Sequence, residues 1–179
     1  MGKYGACATS NPWGEGIDEM AVMAQEIKMN LIWHDWSAKD LNLYALYDIL
    51  SLRNQVFVVE QNCPYQDIDG QDLVDSHRHV AAYHQGKMVA YARLLAPKTG
   101  KDSVKIGRVI VAPSARGQHV GHLLMEHVLV VCARHWANKP LFLSAQAHLQ
   151  RFYGSFGFTA CSEVYDEDGI PHIDMQLPH

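Results

Sequence analysis

The sequence has 179 residues, of which 48% are hydrophobic and 19% are charged, and its formal net charge is −4. This length suits one domain with a substantial core, and the composition excludes a disordered chain. The slightly acidic balance excludes the basic footprint of a nucleic-acid-binding protein, and neither a polybasic membrane patch nor an apolar run of about 18 residues is present.

The first part of the chain differs from the rest. Residues 1–28 are mixed in character, carry glycine and proline, and lack the basic region and apolar stretch of a signal peptide. We predict that residues 1–28 form a flexible N-terminal extension, or that the native chain starts at Met29. Residues 29–179 are then predicted to form a single domain.

The 4 cysteines and 11 histidines show no spacing typical of a metal site. The cysteines also lack the CxxC pattern of redox proteins, which favours reduced thiols in a cytoplasmic protein. We therefore expect a cytoplasmic location and no metal. The oligomeric state is left open, with a homodimer as one candidate because dimers are the commonest assembly.

The predicted domain opens with a strand and a helix. Residues 31–36 alternate weakly between apolar and polar side chains and predict the strand. Ser37 or Asp40 is the predicted N-cap of the helix. Residues 56–59 end this helical region or begin the next segment, and a loop rich in turn-forming residues follows to Asp75. The apolar side chains at helical spacing in this helix are Leu43, Leu46, Tyr47 and Leu50.

A hairpin and a long helix are predicted for the middle of the chain. Residues 79–84 and 87–95 are rich in strand-forming side chains and are joined by Gln85-Gly86, as in a β-hairpin. Residues 104–111 form the next strand, which Pro113 ends. A helix then runs to about Trp136 with an apolar stripe made of Val120, Leu124, Val128 and Val131.

The last part predicts a strand over residues 141–145, a helix from about Ala147 to Phe156, and strands over residues 159–165 and 172–177. Gly157 is the predicted helix stop, and Asp168-Gly169 suits a tight turn. The order of elements predicts a mixed α/β fold, in which a central mixed sheet is flanked by helices and one strand–helix–strand crossover lies at its centre.

The segment from Val104 to Gly121 predicts a phosphate cradle. A strand is followed by a short loop with glycine and then by a helix, whose first N–H groups are unpaired and carry a partial positive charge. Arg116 can add a charge-assisted contact. An ordinary loop with a surface arginine explains this segment equally well by itself, and the motifs of P-loop and dinucleotide-binding proteins are absent.

This segment resembles the signature of the GNAT superfamily of N-acetyltransferases, [QR]-x-x-G-x-[GA] after a strand that ends in V-x-P. The chain has Val111-Ala-Pro113 and then Arg116-Gly-Gln-His-Val-Gly121. It departs at His119, where the superfamily usually has glycine. A β-carbon disfavours positive φ, so the loop is expected to supply its N–H groups if residue 119 has negative φ.

Three further strings, residues 56–70, 144–150 and 167–172, look like the ElaA-type branch of that superfamily, and the likeness covers about residues 30–177. The resemblance implies a GNAT acyl-CoA N-acyltransferase fold. It also implies acetyl-CoA as cosubstrate and direct transfer of the acetyl group to a primary amine in a ternary complex. The acceptor is expected to be a small molecule or a peptide, and neither nucleic acid nor membrane is expected as a partner.

The resemblance also implies where acetyl-CoA binds. Strand residues Val109, Ile110 and Val111 would run along the pantetheine arm, and the N–H of Ile110 or Val111 would polarise the thioester carbonyl. Gln146 stands where many relatives have an asparagine that contacts the pantetheine. The pyrophosphate would be held by Arg116, Gly117, Gln118, His119, Val120 and Gly121.

Tyr153 is the candidate general acid. It lies in a segment that resembles the superfamily's Y-x-x-x-G-F, where the tyrosine hydroxyl faces the coenzyme sulfur. A tyrosine that only packs in the core is the alternative. Cys63 is a disfavoured nucleophile because no basic residue is adjacent to it in the sequence.

The general base is left open between Glu60 and a histidine, His77 or His79. A lysine-type amine is almost fully protonated at neutral pH, and making it neutral costs about 4.6 kcal/mol, which a base or desolvation must offset. Each of these residues could instead be a surface or satisfied side chain. The acidic loop that follows could attract a cationic amine, although a solvated loop is the favoured interpretation for Asp67, Asp69, Asp72 and Asp75.

Two other functions remain open. A non-catalytic CoA-binding or sensing module is one, since His119 departs from the signature. An acyl-homoserine-lactone synthase is the other, because residues 53–60 faintly resemble that related group. Acceptor screening or product analysis would discriminate among them.

Overall fold

A mixed eight-stranded sheet dominates the computed structural model, which describes residues 29–100 and 102–178. The predicted extension over residues 1–28 lies outside these ranges. The strand order is β1-β2-β3-β4-β5-β8-β6, with β7 paired to β8. The strands are β1 (Ile32–Trp36), β2 (Arg78–His84), β3 (Lys87–Leu95), β4 (Val104–Val111), β5 (Leu141–Gln146), β6 (Thr159–Ala160), β7 (Tyr165–Glu167) and β8 (Ile170–Leu177).

Within the described residues three α-helices accompany the sheet, so the predicted mixed α/β class is confirmed. They are α1 (Leu43–Arg53), α2 (Val120–His135) and α3 (Gln150–Gly154). Helix α1 continues without a break into a π-helical segment, Asn54–Glu60, and short 3₁₀ turns cover Pro113–Ala115 and Ala147–Leu149.

Helix α2 packs against β2, β3 and β4 through the apolar stripe that the sequence predicts. Its spacing of three and four residues places one row of side chains toward the sheet. All four predicted stripe residues are buried, and Met125 and Cys132 join them. This helix therefore fixes the loop before it against the end of β4.

Helix α1 is present, but its predicted cap and buried face are wrong. The N-cap is Asn42, whose Oδ1 accepts a hydrogen bond from the Ala45 N–H at 2.9 Å. Leu43 and Tyr47 are 79% and 74% exposed. The buried face contains Arg53, because this side chain finds buried carboxylate partners, and it continues through Ala45, Ile49 and Leu52.

The hairpin of β2 and β3 forms as predicted, and Gln85 and Gly86 both have positive φ, as a tight turn requires. The C-terminal region is less regular than expected. Only two residues pair in β6, because the Ser162 hydroxyl accepts from the Asp174 N–H at 2.9 Å and interrupts the ladder.

The two parallel neighbours β4 and β5 separate soon after they begin. They pair only at Val104 with Leu141 and at Lys105 with Phe142. Beyond Lys105 the edge of β4 that faces β5 has no strand partner in the described chain. A β-bulge interrupts the pairing of β4 with β3, and Arg108 in this bulge has a φ of +54°. The opened edge leads directly into the loop before α2.

Candidate functional site

The loop between β4 and α2 presents a row of unpaired backbone N–H groups. Those of residues 117–121 donate no hydrogen bond to any residue of the described chain. Four of these five residues, all except Gln118, line a groove of about 340 Å³ whose lining also includes Val111, Arg116 and Phe152. We call this the phosphate groove, because free amides at a helix start attract anions.

The predicted loop residues differ in their backbone conformation, burial and side-chain contacts. Gly117 has a φ of +75° and Val120 is buried as the first residue of α2. The Gln118 side chain turns back and donates to the Ser114 carbonyl at 3.2 Å. A β-carbon on Gly121 would lie 3.7 Å from the Phe152 ring, so this glycine leaves the groove open beside that ring.

His119 adopts the left-handed conformation, with a φ of +58°, so the condition of a negative φ is not met. The loop needs left-handed backbone here to turn from Gly117 into α2. The N–H groups stay free in this conformation, and the His119 carbonyl accepts from the N–H groups of His122 and Leu123. The histidine β-carbon costs about 1–2 kcal/mol in this region of φ and ψ.

Replacing His119 with Gly is therefore expected to stabilise the protein. The relief of strain exceeds the backbone entropy that glycine loses on folding, leaving a gain of about 0.5–1 kcal/mol. This corresponds to a rise of about 1–4 °C in melting temperature, which thermal denaturation measures. His122→Gly is the matched control, since the same change inside α2 should destabilise by about 1 kcal/mol. A lower melting temperature for the His119 variant would contradict the account.

The structure brings together Arg116 and Glu60, which the sequence assigned to separate tasks. The guanidinium donates to both carboxylate oxygens of Glu60, at 2.6 and 2.9 Å, and Nε donates to the Val111 carbonyl at 3.1 Å. Glu60 is the last residue of the π-helical segment, and such segments are frequent at functional sites. The hydrogen bond from Arg116 lowers the pKa of Glu60, which makes the paired carboxylate a weak base.

The end of β4 offers one of its backbone amides to the opened edge. The Ala112 N–H donates to Val89 of β3, and Ile110 pairs with Tyr91, so alternation along the strand directs Ile110 toward β3 and Val111 away from it. Ile110 is also buried, whereas Val111 is half-buried like Val109. Of the two amides considered from the sequence, that of Val111 is the accessible one.

Tyr153 lies in α3, next to Phe152 of the phosphate groove. The ring centroids of these two residues are 5.0 Å apart, and the ring centroid of Phe158 lies 6.3 Å from that of Tyr153. Tyr153 is buried, and its hydroxyl has no hydrogen-bond partner within residues 29–100 and 102–178. Burial raises its pKa to about 12, so the hydroxyl carries its proton at neutral pH. Gln146 ends β5, half-buried, opposite His172 of β8.

The histidine candidates for the base lie inside the protein. His79 has no exposed surface, and its ring nitrogens are bonded to the Tyr91 hydroxyl at 2.8 Å and the Asp72 carbonyl at 2.9 Å. Burial lowers its pKa to about 4, so the ring is neutral. His77 is also buried and accepts from the Ala96 N–H. In this arrangement neither ring reaches the phosphate groove.

The neutral His79 predicts a pH-dependent stability. The unfolded chain takes up a proton near pH 6.5, whereas the folded chain does so only near pH 4. Stability is therefore complete above pH 6.5 and falls as the pH drops to 4, by about 3 kcal/mol for this residue. Urea denaturation at pH 7 and 4.5 measures the loss, to which His77 adds because its pKa is also lowered. If the His79→Gln variant lost as much free energy of unfolding between pH 7 and 4.5 as the wild type, this assignment would be contradicted.

The sequence suggested either a solvated loop or an acidic rim that attracts a cationic amine. Both interpretations are wrong for the buried aspartates of this loop. Asp67 and Asp72 are buried and accept from Arg53 at 2.8 and 2.5 Å. Arg93 binds Asp72 at 2.7 Å and Asp69 at 2.5 Å. Asp75, paired with Lys39, lies on the surface as expected, and Asp69 is partly exposed.

The sequence reasoning missed three arginines that bind the aspartates of this loop. Arg93 and Arg108 lie in strand-forming stretches, where a charged side chain is seldom buried unless it is paired. The signal was available in the excess of acidic residues in one loop and the isolated arginines elsewhere. The three that meet this loop are Arg53, Arg93 and Arg108.

Within the described ranges, no group of three or more histidine, cysteine or carboxylate side chains could hold a metal ion. None of the helices in that part of the chain is long and apolar enough to cross a membrane.

Comparison with known proteins establishes the family that the sequence resembles. The family model of the acetyltransferase (GNAT) domain matches residues 47–178, and the chain belongs to this family. It lies in the ElaA-type branch, as predicted: it is 53% identical to Protein ElaA of Escherichia coli K12 over 143 residues, which are 80% of this chain and 94% of that protein.

Two crystal structures agree with the fold. Escherichia coli ElaA superposes with a TM-score of 0.79 at 51% identity, covering 82% of this chain and 98% of that chain. An acyl-CoA N-acyltransferase from Pseudomonas aeruginosa gives the same TM-score of 0.79 at 51% identity and the same coverages, 82% and 98%. The predicted GNAT fold is therefore confirmed.

Proposed function

We propose that this protein transfers an acetyl group from acetyl-CoA directly to a primary amine in a ternary complex. The observation that carries the proposal is the row of free N–H groups at residues 117–121 beside the opened edge of β4. The amides fit a diphosphate, and the open edge fits an amide-containing arm such as pantetheine. The acyl-CoA N-acyltransferase at 51% identity supports the same donor class.

The donor would lie along the residues that the resemblance assigns. Val109 and Val111 lie on β4 beyond its last pairing with β5, and Gln146 is the last residue of β5. The Val111 N–H is placed to stabilise negative charge that develops on the thioester oxygen. Losing such a donor typically costs about 2.7–4 kcal/mol in catalysis.

Binding of the diphosphate would rearrange Arg116. Its guanidinium donates hydrogen bonds to Glu60, which is the proposed base, and to the Val111 carbonyl, which lies on the strand proposed to bind the pantetheine. Exchange of Glu60 for phosphate oxygens frees the carboxylate and restores its basicity. Glu60 is then the base candidate next to the groove, whereas the contacts of His79 with Tyr91 and Asp72 favour a structural task for that residue.

Tyr153 would return a proton to the coenzyme sulfur. A free thiol of this kind ionises near pH 8.5 in water, well below a phenol whose pKa is about 12. Burial raises the pKa of thiols as well, and the buried Cys132 thiol has a pKa of about 12 in this protein. A thiolate that leaves in a dry site is therefore a suitable proton acceptor for Tyr153.

An acceptor screen tests the proposed function. Purified protein, acetyl-CoA and a panel of polyamines, amino acids, peptides and aminoglycosides are mixed, and release of free CoA is followed with a thiol reagent. Release that depends on an amine, with the acetylated amine detected by mass spectrometry, is the expected result. Tight binding of acetyl-CoA without acetylation of any amine would instead indicate a CoA-binding module.

A further inference from the structure

Arg108 occupies a position that its backbone does not favour. It lies in the β-bulge of β4, three residues before Val111, with a φ of +54°. Only glycine adopts this region without steric cost, and residues held in it concentrate at functional sites. The side chain is therefore where the reason for this residue should be sought.

The Arg108 guanidinium is held in place by two hydrogen bonds, and one of its nitrogens has no partner in the described chain. Its Nε donates to Asp67 Oδ1 at 2.6 Å, and its Nη2 donates to the Asp67 carbonyl at 3.3 Å. The rings of Phe57 and Tyr65 lie 5.9 and 5.8 Å from its Cζ. The Nη1 group donates to no residue of the described chain, and the side chain is 24% exposed. One nitrogen of the guanidinium thus remains without a protein partner, on a side chain that reaches the surface.

The buried charges behind Arg108 fix its orientation. Arg53 and Arg93 are almost completely buried and bind Asp67, Asp69 and Asp72 between them. Asp69 is the other partly exposed charge, 3.6 Å from Nη2 of Arg108, but it already accepts two hydrogen bonds from Arg93. The surface therefore offers the free donor of Arg108 rather than a free carboxylate.

We infer that the Nη1 edge of Arg108 binds a carboxylate of the acceptor, so that the amine substrate is an amino acid or a similar amine with a nearby carboxylate. A planar guanidinium that lies near two aromatic rings is suited to a carboxylate. Three residues of β-strand span at most about 10 Å, so the backbone positions of Arg108 and Val111 lie within reach of one small molecule. A polyamine would place positive charge against Arg108. The inference rests on the proposed function.

Paired acceptors test this inference. Leucine and phenylalanine are compared with their α-amides in the CoA-release assay, using wild type, Arg108→Gln and Arg108→Lys. The ratio of kcat/KM for acid over amide should fall at least tenfold in the Gln variant and less in the Lys variant. Comparing variants removes the difference in amine pKa between acid and amide. Arg134→Gln, an exposed α2 change, should keep the wild-type ratio.

Product inhibition provides a second measurement that needs no variant. N-acetyl-leucine should inhibit the wild-type protein competitively against the acceptor at least tenfold more strongly than N-acetyl-leucinamide. Equal inhibition, an unchanged ratio in Arg108→Gln, or acetylation of polyamines but not amino acids would overturn the inference and leave the transferase function standing. Failure to acetylate any amine would refute the proposed function, and the inference with it.

Discussion

Replacing Glu60 with Gln is expected to lower kcat by about 10²-fold or more, the usual contribution of a general base. The same change should tighten CoA binding by about two- to fivefold, because an exposed ion pair of up to about 1 kcal/mol no longer competes for Arg116. The two effects have one cause, since the carboxylate that accepts the amine proton also holds the arginine before the donor binds.

Steady-state kinetics and isothermal titration with CoA measure these opposite changes. Glu126→Gln is the matched control, because Glu126 is exposed on α2 and should change neither quantity. Weaker CoA binding in the Glu60 variant would show that the pair assists the donor rather than competing with it. An unchanged kcat would remove Glu60 from the chemistry.

Replacing Tyr153 with Phe is expected to lower kcat by about 10²–10⁴-fold while the affinity for CoA stays nearly unchanged. The hydroxyl has no hydrogen bond to another described residue, so its removal should leave the packing of Phe152 and Phe158 intact. The loss would then report the missing proton donor rather than a damaged core.

The pH dependence of kcat provides an independent check on Tyr153. An acid with a pKa of about 12 stays protonated across the ordinary assay range, so this residue should cause no fall in activity between pH 7 and about pH 10. Tyr44→Phe, an 84% exposed change on α1, is the control. Wild-type turnover in Tyr153→Phe would make this tyrosine a core residue only.

Local patterns allowed much of the fold to be predicted. Helix α2 follows from one row of apolar residues, and the hairpin of β2 and β3 follows from two strand-forming runs around Gln85-Gly86. Both depend on neighbours within a few positions. The face of α1 could not be predicted in this way, because Arg53 is buried only through aspartates 14 and 19 residues further along the chain.

The candidate site shows the same division. The cradle after β4 is a continuous string, so its residues could be proposed from the signature alone. The contact between Arg116 and Glu60 joins residues 56 positions apart, so only the folded chain shows that the predicted phosphate-binding arginine pairs with the predicted base. The left-handed backbone at His119 was also missed, because the residue type argues against it and the path of the loop decides it.

Isothermal titration of the protein with CoA tests the central claim most directly. One molecule per chain should bind, and binding should weaken as salt rises, because free amides and Arg116 receive a diphosphate. Absence of any uptake of CoA or acetyl-CoA at high protein concentration would contradict the account, whatever the acceptor screen shows.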